Sequence, residues 1–311
     1  MPDTKNLQLP GYTMHTNNNL QLQDTRGTCI YINNEYKSSE VTIQNHNFTD
    51  TISVEVEGKN QSKALISCIY RSGSPEKALQ RDPEMYRLLR SLALTPGYQT
   101  KTVVGDFNMN KITWTPDPEL PPNISEDSAE YKFVECMRDT FLHQNITEPT
   151  RFREGNQPTC DDLLFSSYEN TISDLLHEAP LGHSDHVSIT CNINTNLKPV
   201  TTERITYNYN KADFPKMKNM FNKDWETILQ GKNVQEASDL LEEAYNKAVD
   251  ECVPKYKNKS GKYSPKPIWM NGGAFRKVKR KYSSWIRFLN TKQSQTYREY
   301  IRKRNESTLR K

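Results

Sequence analysis

Two short segments hold most of the residues that could do chemistry. The first is TVVGDFNMN, an apolar run ending in Gly105-Asp106-Phe107-Asn108. In a strand, positions i and i+2 share a face, so Asp106 and Asn108 would project together while Phe107 turns inward. A carboxylate beside an amide at a strand end suits activating a water and holding a phosphate oxygen. The second is APLGHSDHVSIT, which carries His183, Ser184, Asp185 and His186 into an alternating apolar stretch. Asp185 beside His186 offers a divalent cation an oxygen ligand next to an imidazole. Between the two lies TEPTRFREGNQPTCDDLLFSS, where Asp161 and Asp162 precede an apolar run. A buried Asp there would accept from an imidazole Nδ1–H, fixing its tautomer and favouring the imidazolium. Either Asp fits that description. Arg151 and Arg153 are placed to meet phosphates. Taken singly, each motif is also a common turn or strand cap, so their combination carries the weight.

These residues need strands to hold them. Thr28–Ile32, Thr51–Val56, Lys63–Tyr70 and Thr102–Phe107 are rich in β-branched and aromatic residues and are predicted strands. Val187, Ile189, Cys191 and Ile193 alternate with Ser188, Thr190 and Asn192, which predicts a half-buried strand. Asp82-Pro83 has the form of an N-cap with Pro at the first helical position, opening a helix through Tyr86, Leu89 and Leu92. Ala129, Phe133, Met137 and Phe141 mark a second helix. The class is α+β, a layered α/β arrangement. Past residue 200 the pattern turns helical. Phe214, Met217, Phe221, Trp225 and Ile228 predict one helix, and Asn233 with Glu236 caps another that Pro254 stops. Asn258–Pro267 is a Lys/Gly/Ser/Pro linker. The expected plan is a mixed domain over 1–197, a helical connector over 198–254 and a basic helical tail over 255–311.

Composition narrows the class. Apolar residues are 34% of the chain and the mean hydropathy is -0.87, yet 16 Tyr, 10 Phe and 4 Trp exclude full disorder. No apolar run approaches the ~20 residues of a membrane span. MPDTKNLQLPGY lacks a secretory signal, so an intracellular protein, nuclear or cytoplasmic, without a membrane partner is expected. The six cysteines form no C-x-x-C pair, which argues against zinc ribbons and dithiol redox motifs. Charge is strongly segregated. Residues 254–311 carry 18 Lys and Arg against Glu299 and Glu306, a net of +16, whereas the rest of the chain is net −12. Phe275, Val278, Tyr282, Trp285, Ile286 and Leu289 recur there at helical spacing, interleaved with Arg276, Lys277, Lys279, Arg280 and Lys281. A basic amphipathic helix of this kind suits nucleic acid, a membrane surface or a neighbouring domain outside this chain.

The order CIYR, GDFN, T-x-DDLLF and SDH, each at a predicted strand end, resembles the endonuclease/exonuclease/phosphatase superfamily. Its fold is deoxyribonuclease I-like. LPGY, RGTCIYI, SCIYRSGSP, GDFN, TEPTRF, CDDLLFSS and LGHSDH follow the order found in apurinic-type endonuclease domains of non-LTR retrotransposons, over about residues 8–195. PIWMN and the basic helix after it resemble the region between such an endonuclease and its reverse transcriptase.

The resemblance implies a Mg²⁺-dependent DNA endonuclease that hydrolyses phosphodiesters, with DNA or RNA as partner and a reverse transcriptase in cis in the parent element. It implies that Asp106 orients or deprotonates the attacking water and that Asn108 binds the scissile phosphate. His186 would stabilise the pentavalent phosphorus, polarised by Asp162, and Tyr70 would contact phosphate. Asp185 would lie at the metal. Arg71, Arg151 and the tail cations Arg276, Lys277, Lys279, Arg280 and Lys281 would meet nucleic acid. In the family, a strand bearing Asn and a strand ending in a metal-binding Glu precede LPGY. Here LPGY occupies residues 9–12. The expectation is therefore an N-terminally incomplete domain, lacking the fold's first strands, that nicks DNA weakly or not at all. The alternatives are a non-catalytic nucleic-acid-binding remnant and, behind it, a phosphatase acting on phospholipid or inositol phosphate.

Overall fold

Lys63–Tyr70 carries apolar side chains on both faces, the mark of a strand covered from two sides. Leu65 and Ile69 are buried on one face, while Ile66 and Cys68 pack on the other. The computed structural model describes residues 8–18, 27–115, 118–199, 204–258 and 270–308. Tyr12–Asn18 (β1) and Gly27–Asn33 (β2) form an antiparallel hairpin. Lys37–Glu40 (β3), Thr51–Glu57 (β4), Lys63–Tyr70 (β5), Thr100–Asp106 (β6), His143–Gln144 (β7) and Asp162–Ser166 (β8) form a six-stranded mixed sheet of order β3-β4-β5-β6-β8-β7. β5 and β6 run parallel and the other pairs antiparallel.

Pro75–Leu94 (α1) crosses from β5 to β6, and with Ala129–Thr140 (α2) it covers one face of the sheet. Met85, Leu88, Leu89 and Leu92 pack there with Phe133, Leu65, Val103 and Phe165. Phe107 turns into this core as the alternation requires, its ring 5.5 Å from those of Phe133 and Phe165. On the opposite face Ile32 of β2 packs on Ile52, Val54 and Val56. Helix α1 begins at Pro75 after Ser74, not at Asp82-Pro83. Both Ser-Pro and Asp-Pro carry a start signal. Asp82 is taken by an ion pair with Arg71, and Pro83 sits inside the helix. Helix α2 stops one residue short of expectation, with exposed Phe141 in a left-handed conformation.

Ile172–Glu178 (β9) and Ser188–Ile193 (β10) form a second antiparallel hairpin. The chain divides into two compact units, Met1–Val200 with Pro267–Lys311, and Thr201–Lys266. In the second, Arg204–Tyr207 (β11) pairs with Lys255–Asn258 (β12), and Phe214–Phe221 (α3), Trp225–Leu229 (α4) and Val234–Cys252 (α5) lie between them in the chain. One helix was expected where α3 and α4 stand. Asp224 breaks it by accepting from Thr227 N–H as a fresh N-cap. The capping box of Asn233 and Glu236 forms with both hydrogen bonds.

The basic segment forms a helical hairpin, Gly272–Thr291 (α6) and Ser294–Thr308 (α7), turning at Lys292 with φ 52°. It does not stand apart as a tail domain over 255–311. Trp285, Phe288 and Tyr300 are buried against Phe152, Ala179 and Val187 of the first unit. The stripe's partner is thus the protein's own body, while Phe275 and Ile286 stay exposed. The predicted linker lies outside the described residues, apart from Asn258. Among the described residues no helix is long and apolar enough to cross a membrane.

Candidate active site

Sheet register gathers the chemical residues. β5 and β6 end together with Tyr70 opposite Asp106, and β6 pairs antiparallel with β8 so that Asp106 faces Asp162. Gly105 makes this possible. A Cβ there would lie 1.8 Å from the carbonyl oxygen of Ile69, so any side chain would push the two strands apart. Beyond β6 the backbone turns through Asn108 at φ 47°. Its N–H donates to Asp106 Oδ1 (3.1 Å), and its side-chain amide donates to the Arg71 carbonyl (2.8 Å).

The ambiguity of the Asp pair resolves in favour of Asp162. His186 Nδ1 lies 2.7 Å from Asp162 Oδ2. Asp161 points the other way, fully buried, and accepts from an Arg151 terminal nitrogen at 3.0 Å. Thr150 Oγ1 accepts from the backbone N–H of both aspartates. Ligand atoms of Asp106, Asp162 and His186 all lie within 4.8 Å of one another. Asp106 and His186 line a cleft of about 550 Å³ together with Tyr70, Ser72, Lys77, Asn108, Asn110, Arg151, Arg153 and Asp185.

Asp185 is committed differently from expectation. Its Oδ2 accepts from Arg151 Nε (3.0 Å) and from Arg153 Nε, while Oδ1 lies 3.9 Å from His186 Nε2. Two guanidiniums therefore already occupy Oδ2. Burial works against the charge, but hydrogen bonds from Arg151 and Arg153 outweigh it and hold this carboxyl down at about 2. Asp106 moves the opposite way. Burial first, then the Asp162 carboxylate, pushes it up to about 6, with His186 opposing. The hydrogen bond that its Nδ1–H donates to Asp162 raises the His186 imidazole, against the effect of burial.

These causes fix a sign. In the metal-free protein, NMR titration of the His186 ring is expected to have its midpoint above the ordinary imidazole value of about 6.5. Asp162→Asn removes both the hydrogen-bonded charge and its field, so the midpoint should fall. A midpoint indifferent to that substitution would mean that Asp162 does not hold the ring.

Of the residues expected here, Tyr70, Asp106, Asn108, Asp162, Arg151, Asp185 and His186 come together. Arg71 does not. It is 7% exposed, forked onto Asp82 at 2.8 and 2.9 Å, and it also donates to the carbonyls of Phe107 and Asn108. Lys281 is likewise absorbed into the fold, donating to the Pro180 carbonyl, and burial lowers its pKa. Arg276, Lys277, Lys279 and Arg280 are exposed on α6 and do not line the cleft. Sequence reasoning missed Ser72 and Lys77, although a Ser-Gly-Ser-Pro turn after CIYR with Lys on the next turn was a readable signal.

A mixed sheet flanked by helices thus carries two carboxylates and an imidazole gathered where its strands end. Residues 64–190 match the family described as Endonuclease-reverse transcriptase, a stretch that contains Tyr70, Asp106, Asp162 and His186. No curated protein matches the chain. Among solved structures, the chain is similar to the endonuclease domain of TRAS1, a telomere-specific non-LTR retrotransposon, at 13% identity and TM-score 0.43, covering 60% of this chain and 80% of that one. It is also similar to the human Nocturnin catalytic domain, at 15% identity and TM-score 0.37 over 61% and 74% of the two chains. A mannosyl-6-phosphatase of Bacteroides thetaiotaomicron gives 11% identity and TM-score 0.39 over 60% and 78%.

Proposed function

We propose that the cleft is a metal-assisted phosphodiesterase site that nicks DNA, of the kind carried beside a reverse transcriptase. The observation that carries this reading is the meeting of Asp106, Asp162 and His186 within 4.8 Å, beside a pair of arginines. With Nδ1 bound to Asp162, the His186 imidazolium has Nε2–H free to stabilise charge on the phosphoryl oxygens. Asp106, ionised above about 6, accepts from the attacking water. The Asn108 amide donates one N–H to Arg71 and keeps the other for a phosphate oxygen. Arg151, Arg153 and the Tyr70 hydroxyl complete the anion contacts.

The donor set fits a hard divalent cation in kind. Asp106 and Asp162 supply carboxylate oxygens, and Mg²⁺ is commonly held by one or two carboxylates with water and substrate phosphate. Those two residues would hold it, and a bound cation would offset charge on the phosphate and the leaving oxygen. The exposed α6 cations Arg276, Lys277, Lys279 and Arg280 would add backbone affinity that weakens with salt.

The double guanidinium pairing of Asp185 favours a second reading, in which the cleft grips a phosphodiester without turning it over. Incubating supercoiled plasmid with the full chain and Mg²⁺ separates the two. Weak nicking that EDTA abolishes is expected. Salt-dependent binding without nicking would leave only the second reading. Phosphate release from an inositol phosphate, with plasmid untouched, would move the site to a phosphatase.

A further inference from the structure

Arg151-Phe152-Arg153 is extended, with Arg151 bridging to both Thr159 and His186. Successive residues of such a segment face opposite ways, so its first and third share a face. Arg151 and Arg153 accordingly converge on Asp185 in the cleft, and Phe152 points out of its back. There it enters an aromatic socket on the basic hairpin. The Phe152 ring meets Trp285 and Phe288 edge-on, both at 5.5 Å, and is 3% exposed. The backbone is gripped as well. Phe152 N–H donates to the Asp185 carbonyl (2.8 Å), while its own carbonyl accepts from the Tyr297 hydroxyl (2.9 Å). Two residues further, Glu154 accepts from Arg298 of α7.

We infer that the helical hairpin Gly272–Thr308 is a positioning element of the cleft, which through its grip on Phe152 sets Arg151 and Arg153 against Asp185. The inference rests on the cleft being the phosphodiester site, and it gives the basic segment a role besides direct contact with nucleic acid. An aromatic core would need only to bury area. This one closes on a residue whose two neighbours both hold the same cleft carboxylate, and a hydroxyl on α7 fixes that residue's carbonyl. Buried rings in edge-on contact have little freedom to shift, so the guanidiniums inherit a fixed origin. Trp285, Phe288 and Tyr297 are positioning residues, because none lines the cleft.

The experiment uses the full chain with Phe152→Ala, and with Met85→Ala as an equally buried loss in the main core. The guanidinium Nε–Hε signals of Arg151 and Arg153 are read by NMR, and plasmid nicking in parallel. Phe152→Ala should shift or broaden both signals and lower kcat/KM for nicking on the order of 10²-fold, with KM rising more than kcat falls. Met85→Ala should leave the signals in place, and Phe152→Leu should recover part of the loss. Unchanged guanidinium signals in Phe152→Ala, or equal shifts in Met85→Ala, would overturn the inference. If Phe152→Ala fails to fold by far-UV circular dichroism, Tyr297→Phe decides. It removes one hydrogen bond and should still move the Arg153 signal; no movement overturns the inference. Wild-type chain that nicks nothing would defeat the proposed function alone, since the signals read the positioning without turnover.

Discussion

His186→Ala is expected to lower plasmid nicking by roughly 10²–10⁴-fold while DNA affinity stays within a few fold. The imidazolium acts on charge that develops in the transition state, so its loss should appear in turnover and hardly in binding. Its geometry supports that separation. Nδ1 is held by Asp162 at 2.7 Å, and Nε2 turns toward the cleft. Ground-state grip on the phosphodiester falls instead to Arg151 and Arg153. Asp162→Asn should lose less than His186→Ala, because an amide can still orient the ring but cannot stabilise its charge. Initial nicking rates set beside fluorescence anisotropy on a labelled duplex check both statements. Equal nicking by His186→Ala and wild type would remove this residue from the mechanism.

Much of the frame behind that site is legible in the chain. Lys63–Tyr70 is read to the residue, and GDFN lies at a strand end because apolar alternation stops there. The inward turn of Phe107 follows from the same alternation. What does not follow is which aspartate of the Asp161-Asp162 pair faces His186. Neighbouring positions in a strand face opposite ways, and only pairing register assigns them. That register is set by β6, with Asp162 opposite Asp106, and so by contacts more than 50 residues away in the chain.

The basic segment teaches the converse. Its 3.6-residue period is plain from Phe275 to Leu289, but periodicity reports a buried face and not what buries it. Phe152, Ala179 and Val187 lie far earlier in the chain. Charge misled in the same way at Lys281, whose ammonium donates to the Pro180 carbonyl. Formal charge counts every cation equally; the fold withdraws some of them from solution.

Asp82→Ala is expected to destabilise the first unit by about 3–5 kcal/mol, the range for breaking a buried ion pair from one side. Arg71 and Asp82 have side chains only 9% and 7% exposed, and the pair is forked, so neither charge has water to fall back on. Arg71 cannot readily leave, since it also donates to the carbonyls of Phe107 and Asn108, and its own carbonyl accepts from Asn108. The unpaired guanidinium would then drag on the turn that presents Asp106 and Asn108. Chemical denaturation should show a lower midpoint with an unchanged slope. Arg71→Met combined with Asp82→Leu should recover most of that stability, because it removes both charges together. Nicking should not return with it, as the turn would lack its two donors. An Asp82→Ala chain as stable as wild type would mean that water reaches the pair, and Arg71 would become again what its place at the end of CIYR suggests, a cation available to phosphate.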